Sequence, residues 1–314
     1  MDIWLILGAM TLDLFIGDPR FLHHPVVYIG TLINWLETIL ASILDNRYLA
    51  GFVLCASVLL VTGSLTWLVL FVARQLHPLV YGFVSLYLAY TTLALRQLHL
   101  ESREVAQLVE AGHLDEARRA LALIVGRDTA HLDDEQILKA CIETVSENTS
   151  DGVIAPLFYL FLGGPILAML YKAANTLDSM VGYRDDRYRE LGWFSARFDD
   201  LMNLVPARLT GLLMIVASFP LGLNAWASLK VMLRDARKPS SPNAGYPEAA
   251  AAGALGIQLG GPAVYFGEAV NKPTLGDPDR KVDIASYRAM IRLMYVTTFL
   301  ALALGVFLLW PFRV

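Results

Sequence analysis

The chain has 314 residues, of which 56% are apolar and only 17% charged, against about 25% charged in an ordinary soluble domain. Mean hydropathy is +0.50, and 25 Lys and Arg against 29 Asp and Glu leave a formal net charge of −4. These values exclude disorder and a fibrous repeat, and they offer no basic face to a nucleic acid. The two cysteines, Cys55 and Cys141, are too few for a disulfide scaffold or a four-ligand zinc site. Their apolar or helical surroundings predict buried free thiols.

The apolar residues are clustered. Residues 3–17 form a short apolar run interrupted by Asp13. It lacks a basic n-region and a small-residue cleavage site, and is read as a retained anchor. Residues 50–73, 79–95, 153–171, 209–229 and 293–312 carry no Asp, Glu, Lys or Arg. About 20 apolar residues cross the hydrocarbon core as a helix, so five such windows predict an integral membrane protein. The 153–171 window is interrupted at Gly163-Gly164-Pro165. A further charge-free window, 249–267, holds five glycines and Pro262. For both segments two readings stay open: a kinked span, or a re-entrant segment whose freed backbone groups are satisfied by neighbouring helices. If every window but 249–267 spans, residues 18–49, 96–152 and 230–292 share one side and hold 17 of the 25 Lys and Arg. The positive-inside rule places that side in the cytoplasm.

Between the windows lie the polar segments. Residues 96–152 hold twelve acidic and six basic residues. Val105, Leu108, Val109, Leu114, Ala117, Leu121 and Ile124 recur at helical spacing, and Gly112 breaks the run into a helix–turn–helix pair. Asp133 is placed to cap another helix through about Ser146. Glu143 and Glu147 share a helix face and repel. A bound cation or a nearby Arg would offset that repulsion, and the alternative is two solvated glutamates. Asp151-Gly152 stands at the mouth of the next apolar window. Lys172, Asn175 and Asp178 step by three along one broad face, at a depth where a lone charge is costly. In Phe194-Ser-Ala-Arg197-Phe-Asp199-Asp200-Leu-Met-Asn203-Leu-Val-Pro206-Ala-Arg208, adjacent carboxylates followed by Asn and Arg suit Mg²⁺ and phosphate. The bland alternative is interfacial charge flanking a membrane helix. Residues 235–247, with Pro239, Pro242 and Pro247, form a loop. His23-His24 is a weak zinc candidate, since adjacent side chains diverge and no third ligand is evident. Nucleotide-binding and hydrolase signatures are missing.

In order along the chain these clusters resemble the adenosylcobinamide-phosphate synthase family, the CbiB/CobD membrane proteins of cobalamin biosynthesis. The resemblance covers nearly the whole chain. It is carried by Asp13-Leu-Phe-Ile-Gly17-Asp18-Pro19, His24-Pro25-Val26-Val-Tyr-Ile29-Gly30, Val125-Gly126-Arg127-Asp128-Thr129, Glu143-Thr-Val-Ser-Glu147-Asn148, Ser150-Asp151-Gly152-Val-Ile-Ala-Pro156, the 171–184 and 194–211 stretches, Ser241-Pro242-Asn243-Ala244-Gly245-Tyr246-Pro247-Glu248, and Gly260-Gly261-Pro262.

The fold expected is all-α: a polytopic membrane helical bundle with broken or re-entrant helices, a single membrane domain over 1–314 with 96–150 a soluble helical insert. The resemblance implies an acid–amine ligase. It would join the free propionate carboxyl of adenosylcobyric acid to the amine of (R)-1-amino-2-propanol phosphate or a close analogue, driven by ATP and Mg²⁺ through an acyl phosphate. The expected catalytic residues are Asp151, Lys172, Asp178 and Glu147. Arg184, Arg197, Arg208, Asn175, Asn203, Asn243 and His24 are expected to bind phosphate and substrate, and Asp199, Asp200 and Asp18 the metal. Localisation is expected in the cell (inner) membrane with the site facing the cytoplasm, and other membrane-associated enzymes of the pathway are expected partners. The competing class is a non-enzymatic transporter or an AmpE-like sensor. Broken helices with buried charge suit a transporter, but no internal repeat is present.

Overall fold

The structure, a computed structural model, describes residues 3–19, 24–183, 185–265 and 267–310. Thirteen α-helices account for most of it: α1 (Ile3–Ile16), α2 (Pro25–Ile43), α3 (Arg47–Leu76), α4 (Pro78–Tyr90), α5 (Leu95–Glu110), α6 (Leu114–Ala122), α7 (Asp134–Thr149), α8 (Ala155–Val181), α9 (Trp193–Met202), α10 (Leu204–Ser218), α11 (Ala225–Asp235), α12 (Gly245–Leu255) and α13 (Ile284–Leu309). A π-helical turn, Ser150–Ile154, joins α7 to α8, and one antiparallel hairpin pairs β1 (Leu259–Tyr265) with β2 (Glu268–Leu275). The all-α polytopic expectation holds. Among the described residues, five helical stretches are long and apolar enough to cross a membrane: Pro25–Ile43, Arg47–Leu76, Pro78–Glu110, Asp134–Val181 and Ile284–Leu309. A sixth arises only if α9 and α10 count as one broken span, and α1 is shorter than a span.

Large apolar side chains face outward along these helices. On α3, Leu60, Leu65, Trp67, Leu68 and Phe71 are exposed, and on α2 Val27, Tyr28 and Trp35 are exposed. Water would penalise such surface at roughly 25 cal/mol per Å², whereas lipid tails accept it. Some buried hydroxyls are satisfied within their own helices: Thr66 donates to the Thr62 carbonyl (2.7 Å) and Thr298 to Met294 (2.9 Å).

The chain divides into two compact units. The first holds residues 1–94, 155–203 and 305–314, and the second residues 95–154 and 204–304. In the first unit α2, α3 and α8 pack on Ile33, Leu54, Val58, Ala173 and Leu177. The Tyr90 hydroxyl donates to the Gly17 carbonyl and ties the end of α4 to that of α1. In the second unit α12, with its run of small residues, packs closely on α10 and α11, and the Ser228 hydroxyl donates to the Ala250 carbonyl at 2.7 Å. Helix α13 is pinned to α5 by Ser102–Tyr287 (3.1 Å), His99–Tyr295 (2.9 Å) and an Arg288–Glu110 ion pair.

Several expectations are met and others corrected. The helix–turn–helix pair is α5–α6, and α7 carries an Asp133 capping box with Gln136. Cys55 and Cys141 are buried free thiols. The break at residues 163–165 is present: Gly163 and Gly164 leave helical geometry, and Gly164 takes φ +66°, which a side chain would strain. Residues 209–229, by contrast, are not one helix. Pro220 and Gly222 fall in a turn between α10 and α11. Residues 249–267 are neither a kinked nor a re-entrant helix, because α12 stops at the left-handed Gly256 and the chain then turns into β1.

The span in α2 was missed because it contains Glu37. That carboxylate is buried but paired with Arg187 at 2.9 Å, so the charge does not stand alone in the helix. With α2 occupying 25–43, the count of 17 cations on one side no longer follows.

Candidate active site

In the first unit the expected residues gather at the C-terminal half of α8 and on α9. The Tyr171 hydroxyl meets Asn203 Oδ1 (2.9 Å), and Asn203 Nδ2 donates to Asp199 Oδ2 (3.0 Å). Tyr159 stacks on Tyr171 with ring centroids 5.2 Å apart and donates to the Met202 carbonyl. Asp199 is only 7% exposed, and its Oδ1 accepts no hydrogen bond. Asp178 and Asn175 lie beside it. Adjacent Asp200 turns the other way and pairs with Arg197 at 3.0 Å. The helical period explains this: consecutive side chains diverge by about 100°. Asp18 and Lys172 are instead within electrostatic reach of His24.

His24 caps α2, its Nδ1 accepting from the Val26 amide at 3.2 Å. Burial holds its imidazole below the ordinary value; Asp18 opposes the shift and Lys172 adds to it. Asp18, Asp199 and Asp200 therefore do not form one ligand set, and among the described residues no three His, Cys, Asp or Glu side chains are grouped to hold a metal. Arg184 and His23 lie outside the described residues.

In the second unit Glu147 belongs to a cluster that the sequence only half revealed. Arg127 donates to Glu143 Oε2, and the Gly260 amide donates to Oε1 at 2.7 Å. Glu143 is only 5% exposed. The cation that its spacing from Glu147 demanded is thus Arg127. Gly260 can reach it because φ is +74° and there is no Cβ, which would strike the Pro273 carbonyl. Glu147, Glu248, Lys272 and Tyr265 join Arg127 and Glu143 around a cavity of about 120 Å³.

Burial, reinforced by Glu147 and Glu143, pushes the Glu248 carboxyl well above its usual range. Burial pulls Lys272 down, but its bond to Tyr265 and the Glu143 charge leave it above the ordinary lysine value. Asp128 fastens the hairpin to the 125–132 segment: its amide donates to the Val264 carbonyl (2.9 Å), and its Oδ2 accepts from Gly267 (2.8 Å).

Arg208 donates to Asn243 Oδ1 at 3.2 Å and lies over the Tyr246 ring at 4.3 Å. Asp151 sits in the π-helical turn packed on α10, a geometry frequent at functional sites. Asp235, wholly buried, is bound by Arg234 (2.8 Å), Lys238 (2.7 Å) and the Gly276 amide (2.9 Å). Burial would raise it, but these bonds win and hold its carboxyl well below the usual range. Sequence reasoning did not place Arg127, Glu143, Glu248, Lys272 or Asp235 among the expected site residues, although Glu143 left a signal in its spacing from Glu147, and Arg127 and Glu248 stand in stretches that carry the resemblance.

A family model described as CobD/Cbib protein matches residues 6–294. The chain is 53% identical to the "Cobalamin biosynthesis protein CobD" of Geobacter metallireducens, over 93% of this chain and 92% of the relative. It is 47% identical to the protein of the same name in Listeria monocytogenes, over 94% of each chain. It is also 47% identical to the "Cobalamin biosynthesis protein CbiB" of Salmonella typhi, over 96% and 95% respectively. No solved structure gives a significant match. The chain belongs to the CobD/CbiB family of cobalamin biosynthesis proteins.

Proposed function

We propose that this member of the family is the acid–amine ligase of late cobalamin assembly, making adenosylcobinamide phosphate from adenosylcobyric acid and (R)-1-amino-2-propanol phosphate or a close analogue. ATP phosphorylates the corrinoid propionate, giving an acyl phosphate and ADP. The amine nitrogen then attacks the acyl carbon and inorganic phosphate leaves. The ammonium sheds two protons, one leaving with phosphate and one passing to a carboxylate of the site.

The observation that carries this reading is the polar group around Glu143, in which Glu147 and Glu248 have no hydrogen bond or ion pair among the described residues while Arg127 and Lys272 supply positive charge. Acyl transfer needs that combination: a proton acceptor, and fixed cations where negative charge collects. Asp151 and Arg208, with Asn243, are the further candidates of the second unit. In the first unit Lys172 and Asp178 keep their proposed catalytic part, and His24 and Arg197 their proposed part in phosphate or substrate binding.

Mg²⁺ prefers hard oxygen ligands and commonly takes one or two carboxylates, leaving its remaining positions to water and phosphate. Asp199, with its buried unbonded Oδ1 beside Asp178 and the amides of Asn175 and Asn203, fits that preference. These residues would hold the ion, which when bound would neutralise phosphate charge. Asp200 and Asp18, turned toward Arg197 and His24, would act beside it rather than on it.

The test uses the full chain in lipid nanodiscs. Corrinoid, amine, ATP and Mg²⁺ together should yield the amide, with ADP released over many turnovers only when all four are present. Corrinoid uptake into vesicles without amide formation would instead make the protein a transporter. Cytoplasmic access is tested with Ser179→Cys, an exposed position on α8, in a background lacking Cys55 and Cys141. An impermeant maleimide should label it only after the membrane is opened.

A further inference from the structure

Two cavities in the second unit share one side chain. The larger, about 1290 Å³, runs between α6, the 127–132 segment and the β1–β2 hairpin. The smaller, about 120 Å³, is the enclosure of Glu147 and Glu248. Arg127 lines both. Their volumes differ about tenfold, and so does their chemistry.

The large groove has an apolar wall of Ala122, Pro262, Val264 and Val270. It also presents Arg119 and His131, neither of which makes a side-chain hydrogen bond or ion pair among the described residues. The small cavity is almost wholly polar, with three carboxylates and two cations facing one another. Glu147 and Glu248 are half-buried side chains in the lining of this cavity. Two neighbouring carboxylates without partners favour a cation between them. Lys272, over the Tyr265 ring at 5.2 Å, favours an anion a short distance away. A small molecule with an ammonium at one end and a phosphate at the other matches both demands. A bulky, mostly apolar acid matches only the groove.

We infer that the small cavity is the amine subsite, with the ammonium on Glu147 and Glu248 and the phosphate toward Lys272, and that the large groove is the acid subsite. This rests on the proposed ligase reaction. Arg127 stands where the two subsites meet. It is held rigid by Glu143, which is itself held by the Gly260 amide, and it positions the reacting carboxyl against the amine. Glu147 or Glu248 takes the proton that frees the nitrogen lone pair; the nitrogen–carbon bond forms as the acyl–phosphate bond breaks.

The experiment measures both Michaelis constants in nanodiscs. Glu248→Gln should raise KM for aminopropanol phosphate roughly 10- to 100-fold, the range set by losing one bond to a charged group, and leave KM for the corrinoid within twofold. Arg119→Ala should do the reverse. Lys272→Ala should erase the preference for aminopropanol phosphate over unphosphorylated 1-amino-2-propanol. Glu147→Gln serves as the second carboxylate variant should Glu248→Gln not fold, and calorimetric titration with aminopropanol phosphate alone reads the subsite without turnover. If wild type forms amide but the variants shift both constants together, or neither, the two-subsite assignment is overturned while the ligase reading stands. If wild type forms no amide, both fall.

Discussion

The Arg127–Glu143 pair can be tested by a double-mutant cycle, because its surroundings allow the cost to be worked out. Both side chains are buried, 11% and 6% exposed, so solvent screens them little. Glu143→Ala strips Arg127 of its counter-charge, and an uncompensated buried charge costs about 3–5 kcal/mol. It also leaves the Gly260 amide without its acceptor, at about 1–3 kcal/mol. These costs overlap, since the arginine can swing toward the cavity, so about 4 kcal/mol is expected in total. Arg127→Ala leaves Glu143 charged but still bonded to Gly260, and should cost about 3 kcal/mol. The double variant loses the charge problem altogether and keeps only the orphaned amide and a void, again about 3 kcal/mol. The coupling energy is then about 4 kcal/mol. Denaturant unfolding of the detergent-solubilised protein, followed by tryptophan fluorescence, measures all four corners. Additivity within about 0.5 kcal/mol, the scatter of independent sites, would refute the reasoning.

Three further outcomes follow from the same chemistry. Glu248 has its folded pKa raised above the unfolded one, so it contributes stability below the ordinary glutamate range and loses it as pH rises through the folded value; Glu248→Gln should therefore remove a fall in melting temperature with rising pH, and an unchanged pH profile would contradict this. Asp235 has the opposite sign: its stability is present above the ordinary aspartate range and lost as pH falls through the depressed folded value. Asp235→Asn should cost about 2–3 kcal/mol at pH 7, allowing for the partly exposed Arg234 and Lys238, and the deficit should shrink in acid. Asp199→Asn should raise the Mg²⁺ concentration for half-maximal rate at least about tenfold, as expected for loss of a charged ligand, whereas Asp200→Asn should change it little; equal effects would show that the orientation of the two aspartates does not matter.

The helices were legible because lipid imposes a coarse rule, about 20 residues without charge, that a single sequence can satisfy or fail. The rule failed where a charge was compensated from a distance. Glu37 disqualified α2 by composition, yet Arg187, 150 positions later, neutralises it. It failed again where apolar composition did not mean helix. Residues 249–267 contain no charge, but Gly256, Gly260 and Gly261 all take positive φ, and three such residues cannot continue a right-handed helix. Local signals fared better: the Asp133 capping box and the Gly163-Gly164-Pro165 break both depend on neighbours in the chain, and both are present.

The candidate site divides along the same line. Groups on one helix, such as Glu143 with Glu147 or Lys172 with Asp178, announce themselves by spacing. The residues that complete the enclosure come from a loop, a second helix and a strand: Arg127, Glu248 and Lys272 are separated by 121 and 24 positions. No periodicity relates them, so only the folded chain brings them to one cavity. What the sequence does carry is the demand for them. Two glutamates four residues apart, entering an apolar segment, must find positive charge or stay protonated. A demand of that kind fixes the sign of the missing partner before its identity is known. The arginine that meets it, held by Glu143 at the border of a large groove and a small polar cavity, is where a carboxyl and an amine of very different size would have to meet.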